Sequence, residues 1–215
     1  MDYILFIFRS VQNMKGRPRE FDLDRALDSA MLVFWRDGYE GASLSELTAA
    51  MNINRPSLYG TFGDKESLFF KVLDRYIECY AKDGVGKLSE YKDIGEAIAA
   101  FFASVEKLLT DPHHPAGCLI ANCTLECGRN RYEAISRRLN QCHAETTAAL
   151  YQRLRLAQIE GQLAADEDVQ AMAQFFTATM MGMGMMARTG ANLVAIRQVS
   201  ALALRLLKKN SQVSS

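Results

Sequence analysis

Apolar residues recur along this chain at three- and four-residue intervals, with no sustained alternation, which predicts helices throughout and no sheet. Leu23, Leu27, Ala30, Met31 and Phe34 share one face of a first helix, capped by Asp22 and ended by Gly38. Ser43 followed three residues later by Glu46 forms a capping box, and Leu44, Leu47 and Ala50 or Met51 then fall on one side of a short second helix. Asn52 tolerates a left-handed turn, Asn54 caps a third helix, and Pro56 sits early in it where a missing N–H costs little. Leu58 and Phe62, spaced i and i+4, are its buried side. Asp64 opens a fourth helix with a wide stripe from Leu68 to Tyr80, and Gly84-Val85-Gly86 with the polar run to Asp93 is expected to break it. Further periodic segments lie near 94–109, 116–127, 132–160, 166–187 and 192–209, with a loop at 111–115. The fold class is all-α, with about nine helices.

The second and third helices with their tight turn form a helix-turn-helix. The second of the pair is short and polar outside, suited to a major groove. The run Asn54-Arg55-Pro56-Ser57-Leu58-Tyr59, then Phe62, then Asp64-Lys65-Glu66 and Leu68, resembles the DNA-binding motif of the tetracycline-repressor-like (TetR/AcrR) regulators. Asn52 stands where that family usually has Gly, and Gly60 and Thr61 where bulkier aromatic or basic residues are common, which bears on the bases read. The resemblance implies an N-terminal three-helix DNA-binding domain over 15–63. It also implies a larger helical effector-binding and dimerisation domain over 64–210, with 211–215 a disordered tail. Residues 1–14 read as an extra N-terminal arm or as a start placed upstream of Met14.

Lys+Arg and Asp+Glu are balanced at 25 each, so overall charge does not indicate nucleic acid. Its distribution matters more: from Leu47 to Gly63 there is no acid and Arg55 is the one charge, a small basic footprint that predicts modest non-specific DNA binding. The basic arm Lys15, Arg17 and Arg19 is placed for a narrow minor groove. The expected DNA-facing set is that arm with Ser43, Arg55, Pro56, Ser57, Tyr59, Thr61 and Lys65, the last a phosphate contact by resemblance. Five cysteines without a signal peptide imply reduced thiols in a cytoplasm, and no apolar run is long enough to span a bilayer.

The last two helices carry more apolar surface than one chain needs. Phe175, Met180, Met183, Met186, Ile196, Val199 and Ala203 are the expected homodimer face, with Gly182 and Gly184 permitting close approach. The resemblance further implies a cavity for a small, mostly apolar effector, lined by Phe101, Phe102, Val105, Cys118, Asn122, Phe176 and Met180. Cys118, Cys123, Cys127 and Cys142 admit three readings: small core residues, soft-metal ligands (Cys123 and Cys127 being i and i+4), or an oxidant or electrophile sensor. No cofactor is implied. Cys142 and His143 are adjacent and diverge by about 100° on a helix, so they make no nucleophile pair, and neither a phosphate loop nor HExxH is present. The chain therefore reads as a homodimeric repressor, not an enzyme, released from a palindromic double-stranded operator by a small molecule. The alternative is release through a thiol.

Overall fold

A computed structural model describes residues 22–127 and 132–210. Among them the architecture is all-α, with no strand. The helices are α1 (Leu23–Gly41), α2 (Leu44–Ala50), α3 (Arg55–Phe62), α4 (Lys65–Tyr76), α5 (Lys82–Glu90), α6 (Ile94–Thr110), α7 (Leu119–Cys127), α8 (Glu133–Ile159), α9 (Val169–Arg188) and α10 (Leu193–Asn210). A π-helical turn, Ile77–Ala81, joins α4 to α5 without a break, so the ten helices form nine rods.

Side-chain caps set most helix starts. Asp22, Ser43, Asn54, Asp64, Asp93 and Asp168 each accept a backbone N–H of the first turn, satisfying donors the helix itself cannot. The capping box is closed on both sides: Glu46 N donates to Ser43 Oγ at 3.1 Å, and Ser43 N to Glu46 Oε2 at 3.0 Å. Asn52 holds φ 52°, as the turn requires. Gly38, with φ 75° and ψ −179°, interrupts α1 at the expected place, and a last turn continues to Gly41.

The expected break at Gly84-Val85-Gly86 does not occur, and the rod runs on to Glu90. Gly84 packs against Phe101 and Ser104 of α6, with Ser104 Oγ donating to Asp83 at 2.6 Å. Tertiary contact outweighs the roughly 1 kcal/mol that a helical glycine costs. The π-turn also matters to register. A four-residue repeat overshoots the α-helical period by about 40° per step. One loosened turn absorbs part of that drift, so Tyr76, Gly84 and Leu88 all stay buried.

Two apolar cores result. The first joins α1–α4 to α7 and the first half of α8, around Phe34, Trp35, Phe69 and Tyr76. The second joins α6, the second half of α8, α9 and α10 around Phe101, Phe102, Leu154 and Phe176. The three N-terminal helices thus do not close a core by themselves. Trp35 is fully buried, worth roughly 3 kcal/mol of transfer energy. Its indole N–H is satisfied by Gly117 O at 3.1 Å.

Candidate DNA-binding surface and effector cavity

α2 and α3 are tied across their outer edge by Arg55 Nη2, which donates to Ser45 Oγ at 2.8 Å. Leu58 and Phe62 are buried, while Arg55, Pro56, Tyr59 and Gly60 are exposed, Tyr59 by 50%. Ser57 and Thr61 lie half-buried on the flank. A Cβ on Gly60 would meet nothing within 4 Å, so the outer face of α3 is open there. Ser43 is committed to its cap. Lys65 is turned inward: Nζ lies 4.7 Å over the Tyr39 ring and 3.5 Å from Glu40 O, and partial burial lowers its pKa. In this conformation its ammonium faces the α1–α4 junction. Lys15, Arg17 and Arg19 lie outside the described residues.

A cavity of about 60 Å³ lies beneath the π-turn. Tyr80 and Ala81 of that turn, Val85 of α5, Val105 of α6, Cys118 beside α7, His143 and Thr146 of α8 and Met180 of α9 are among its walls. The walls are mostly apolar. Tyr76 Oη donates to Cys118 Sγ at 3.3 Å, and burial pushes the Tyr76 hydroxyl pKa well up, so it stays a neutral donor. His143 Nε2 pairs with Thr124 Oγ1 at 3.1 Å, and burial pushes its pKa down, favouring the neutral ring. The volume holds only a few heavy atoms, so any larger molecule displaces wall side chains.

Those walls reach the helix-turn-helix by two routes. Along α4, Phe69 and Val72 pack in the first core while Tyr76 lines the cavity. Along α7 and the residue before it, Cys118 and Ala121 face the cavity while Glu126 crosses to α1, where its carboxylate fills the space over Gly38 and accepts Glu40 N–H at 3.4 Å. Trp35 sits where the routes meet, 4.2 Å from the His114 ring, 4.9 Å from Tyr76 and 5.3 Å from Tyr80.

Residues 26–72 match the family described as bacterial regulatory proteins, tetR family, and residues 95–203 match its tetracyclin repressor-like C-terminal domain. The chain belongs to the TetR family. It is similar to the HTH-type transcriptional repressor ComR of Escherichia coli (strain K12), with 38% identity over 198 residues covering 91% of this chain and 93% of ComR. Similarity to the HTH-type transcriptional repressor BdcR of the same organism is 26% over 205 residues, covering 94% and 97%. Among solved structures it resembles the TetR family transcriptional regulator CifR, a cysteine mutant complexed with 26 bp double-strand operator DNA. That match has a TM-score of 0.84 and 35% identity, covering 88% of this chain and 98% of the other. This TetR-family chain is a DNA-binding transcriptional regulator.

Of the expected cavity residues, Phe101, Val105, Cys118 and Met180 line it. Phe102 and Phe176 stack edge-on 5.8 Å apart in the core behind, and Asn122 Nδ2 donates to Trp35 O at 3.4 Å. Tyr76, Tyr80, Val85, His143 and Thr146 were not expected there. Helical spacing marks them as inward-facing but does not say what they meet.

The expected dimer face is likewise redistributed. Met183, Ile196 and Ala203 are buried in the chain's own second core, Met180 serves the cavity, and Met186 and Val199 are half-buried. Phe175 is exposed, with Met185, Val194, Leu202 and Leu206. Apart from Phe175, the large apolar residues that α9 and α10 leave exposed thus lie one or more positions away from the expected ones.

The thiols separate in the same way. Burial raises the pKa of Cys123 and Cys142 and pushes Cys127 up to about 11. All three are therefore neutral near pH 7 and pack as small apolar groups. Cys123 and Cys127, the weak metal candidates, lie in the first core, and among the described residues no group of three or more His, Cys, Asp and Glu is placed to hold a metal. His113 is exposed on Asp111, and His114 stacks on Trp35 rather than joining the cysteines. No helix among the described residues is long and apolar enough to cross a membrane.

Proposed function

We propose that the chain is a non-enzymatic cytoplasmic repressor. As a homodimer it holds a palindromic operator with the outer face of α3, and it releases the operator when a small, mostly apolar effector occupies the cavity. Residues 15–63 serve as the DNA-binding unit and 64–210 as the effector and dimer unit. Arg55 and Tyr59 carry the major-groove contacts, Pro56, Ser57 and Thr61 border them, and Ser43 and Lys65 flank them at the phosphates. The basic arm of Lys15, Arg17 and Arg19 follows the minor groove.

The observation that carries this reading is the continuous rod from Lys65 to Glu90, which anchors the helix-turn-helix at one end and walls the cavity at its middle. A molecule too large for 60 Å³ moves Tyr80 and Ala81 outward. That displacement tilts α4 and changes the spacing of the two recognition helices in the dimer. An effector needs only a few kcal/mol of preference for the altered state to shift the equilibrium. The phosphate role of Lys65 requires its side chain to swing off Tyr39 on DNA.

The test is selection of an operator from random duplexes, followed by fluorescence anisotropy. Arg55→Ala should cost about 1–3 kcal/mol of operator affinity. Lys65→Ala should weaken all sequences alike and flatten the salt dependence, whereas Tyr59→Phe, which removes no charge, should weaken operator binding and leave the salt slope unchanged. Three variants that bind like the parent overturn the α3 assignment. A thermal-shift screen of small apolar compounds, scored by operator release, tests the cavity.

A further inference from the structure

A second recess, a groove of about 780 Å³, lies between the end of α5, the following Tyr91-Lys92 segment and the second half of α8. Its distinctive member is Arg153. This side chain is only 8% exposed, in the middle of a helix. Nη2 donates to Tyr91 O at 3.2 Å and Lys92 O at 2.6 Å. Nη1 is enclosed and has no partner. A buried guanidinium nitrogen with its donors unmet is costly, more so than a neutral group, and an acceptor placed there removes the cost.

The groove's charges favour an anionic acceptor. Glu90 already accepts from Lys87 Nζ at 3.0 Å, and Glu160 from Gln162 Nε2 at 2.7 Å. Lys92 forms no ion pair among the described residues; Lys87 neutralises Glu90, but the neutral Gln162 amide leaves Glu160 charged, so Arg153 and Lys92 face one uncompensated acid and one net positive charge remains. The remaining walls include Val85, Leu88, Tyr91 and Leu156, all apolar or aromatic. Val85 lines the cavity as well, so one turn of α5 separates the two spaces. On α8, Thr146 of the cavity and Arg153 of the groove are seven residues apart, two turns on the same face, or roughly 10 Å of rise.

We propose that Arg153, assisted by Lys92, is the anchoring subsite for the carboxylate of an amphipathic effector, a medium-chain carboxylic acid. Its apolar body runs past Val85 into the cavity. This inference rests on the reading of the cavity as the effector site. It gives the buried Nη1 its missing acceptor and makes the glycine-flanked Val85 turn, with no Cβ on either side, the partition that yields. The head group is recognised by charge-assisted hydrogen bonding and the chain by apolar contact.

Titration calorimetry of the full chain with decanoate and with decanol, both below micelle formation, separates the parts. The parent should bind decanoate about tenfold or more tightly than decanol, the scale of one charge-assisted hydrogen bond. Arg153→Gln retains an amide donor for the Tyr91 and Lys92 carbonyls, and Lys92→Glu leaves those backbone contacts intact, so one variant remains informative if the other misfolds. Either should narrow the preference to under about threefold while decanol binding is unchanged. Equal affinities in the parent, or a preference that survives both substitutions, overturn the anchoring role, and decanol binding then leaves the cavity reading standing. Binding of neither probe also overturns it, and the separate screen of apolar compounds decides the cavity.

Discussion

Substituting Gly38 tests whether the α1–α7 contact is as tightly specified as its geometry implies. At φ 75° and ψ −179° this residue occupies a region that is essentially glycine-only, which costs a side-chain-bearing residue about 1–3 kcal/mol. An alanine Cβ would also fall on the Glu126 carboxylate, forcing it off Glu40 N–H and forfeiting about 1 kcal/mol more. Gly38→Ala should therefore lose roughly 2–4 kcal/mol, or about 4–16 °C in Tm for a chain of this size. The assay is urea denaturation followed by far-ultraviolet circular dichroism at fixed protein concentration, since dimerisation makes stability concentration-dependent. Glu126→Ala alone should cost about 1 kcal/mol or less, its contact being long and exposed. Added to Gly38→Ala, it should recover only the steric share, because the backbone strain persists. A Gly38→Ala protein within about 0.5 kcal/mol of the parent would refute the reasoning, and full recovery in the double variant would refute the strain component.

Leu202→Glu or Phe175→Glu, at exposed apolar positions of α10 and α9, should give a folded monomer by light scattering and circular dichroism, whereas Met183→Glu should unfold the chain, since it buries an unpaired carboxylate in a single subunit's core. The reverse pattern would return Met183 to the interface. His143 is held neutral by burial, so its pKa when folded lies below the unfolded value of about 6.5. As pH falls through that value the unfolded chain binds the proton first, and stability declines. His143→Gln should show a smaller drop in Tm between pH 7 and pH 5.5, and an identical drop would exclude this residue as the cause. In timed alkylation with mass spectrometry, exposed Cys79 should react first and half-buried Cys118 next, while Cys123, Cys127 and Cys142 wait for unfolding; native labelling of Cys123 at the rate of Cys79 would contradict its burial.

Local signals were the legible ones. Ser43 with Glu46, Asn54 and Asp64 mark helix starts because a cap is a contact between residues three apart, and Asn52 marks the turn because few residues accept its φ. Where the outcome depended on a distant partner, the pattern was silent. Gly84 and Gly86 signal a break, and only α6 packed alongside keeps the rod helical. Lys65 reads as an exposed cation at a helix start, but Tyr39 and Glu40, from another helix, draw it inward. Periodicity placed Met183 on an apolar face without saying that its own chain, rather than a partner, would cover it. Arg153 stands in a helix rich in charge, and nothing in its neighbours announces that its guanidinium is enclosed.

The position of Trp35 has an optical consequence. It is the chain's single tryptophan, so all indole emission arises from one point, the junction of α1, the π-turn and the loop before α7. Its ring is dry, its N–H is held by Gly117, and an imidazole lies stacked upon it. Emission from such a site is blue-shifted and sensitive to the distance of the quenching ring. A movement of Tyr80 or of the 111–117 loop must alter that emission. The junction through which a cavity ligand would reach the DNA-reading helices thus reports its own state in light, without a label.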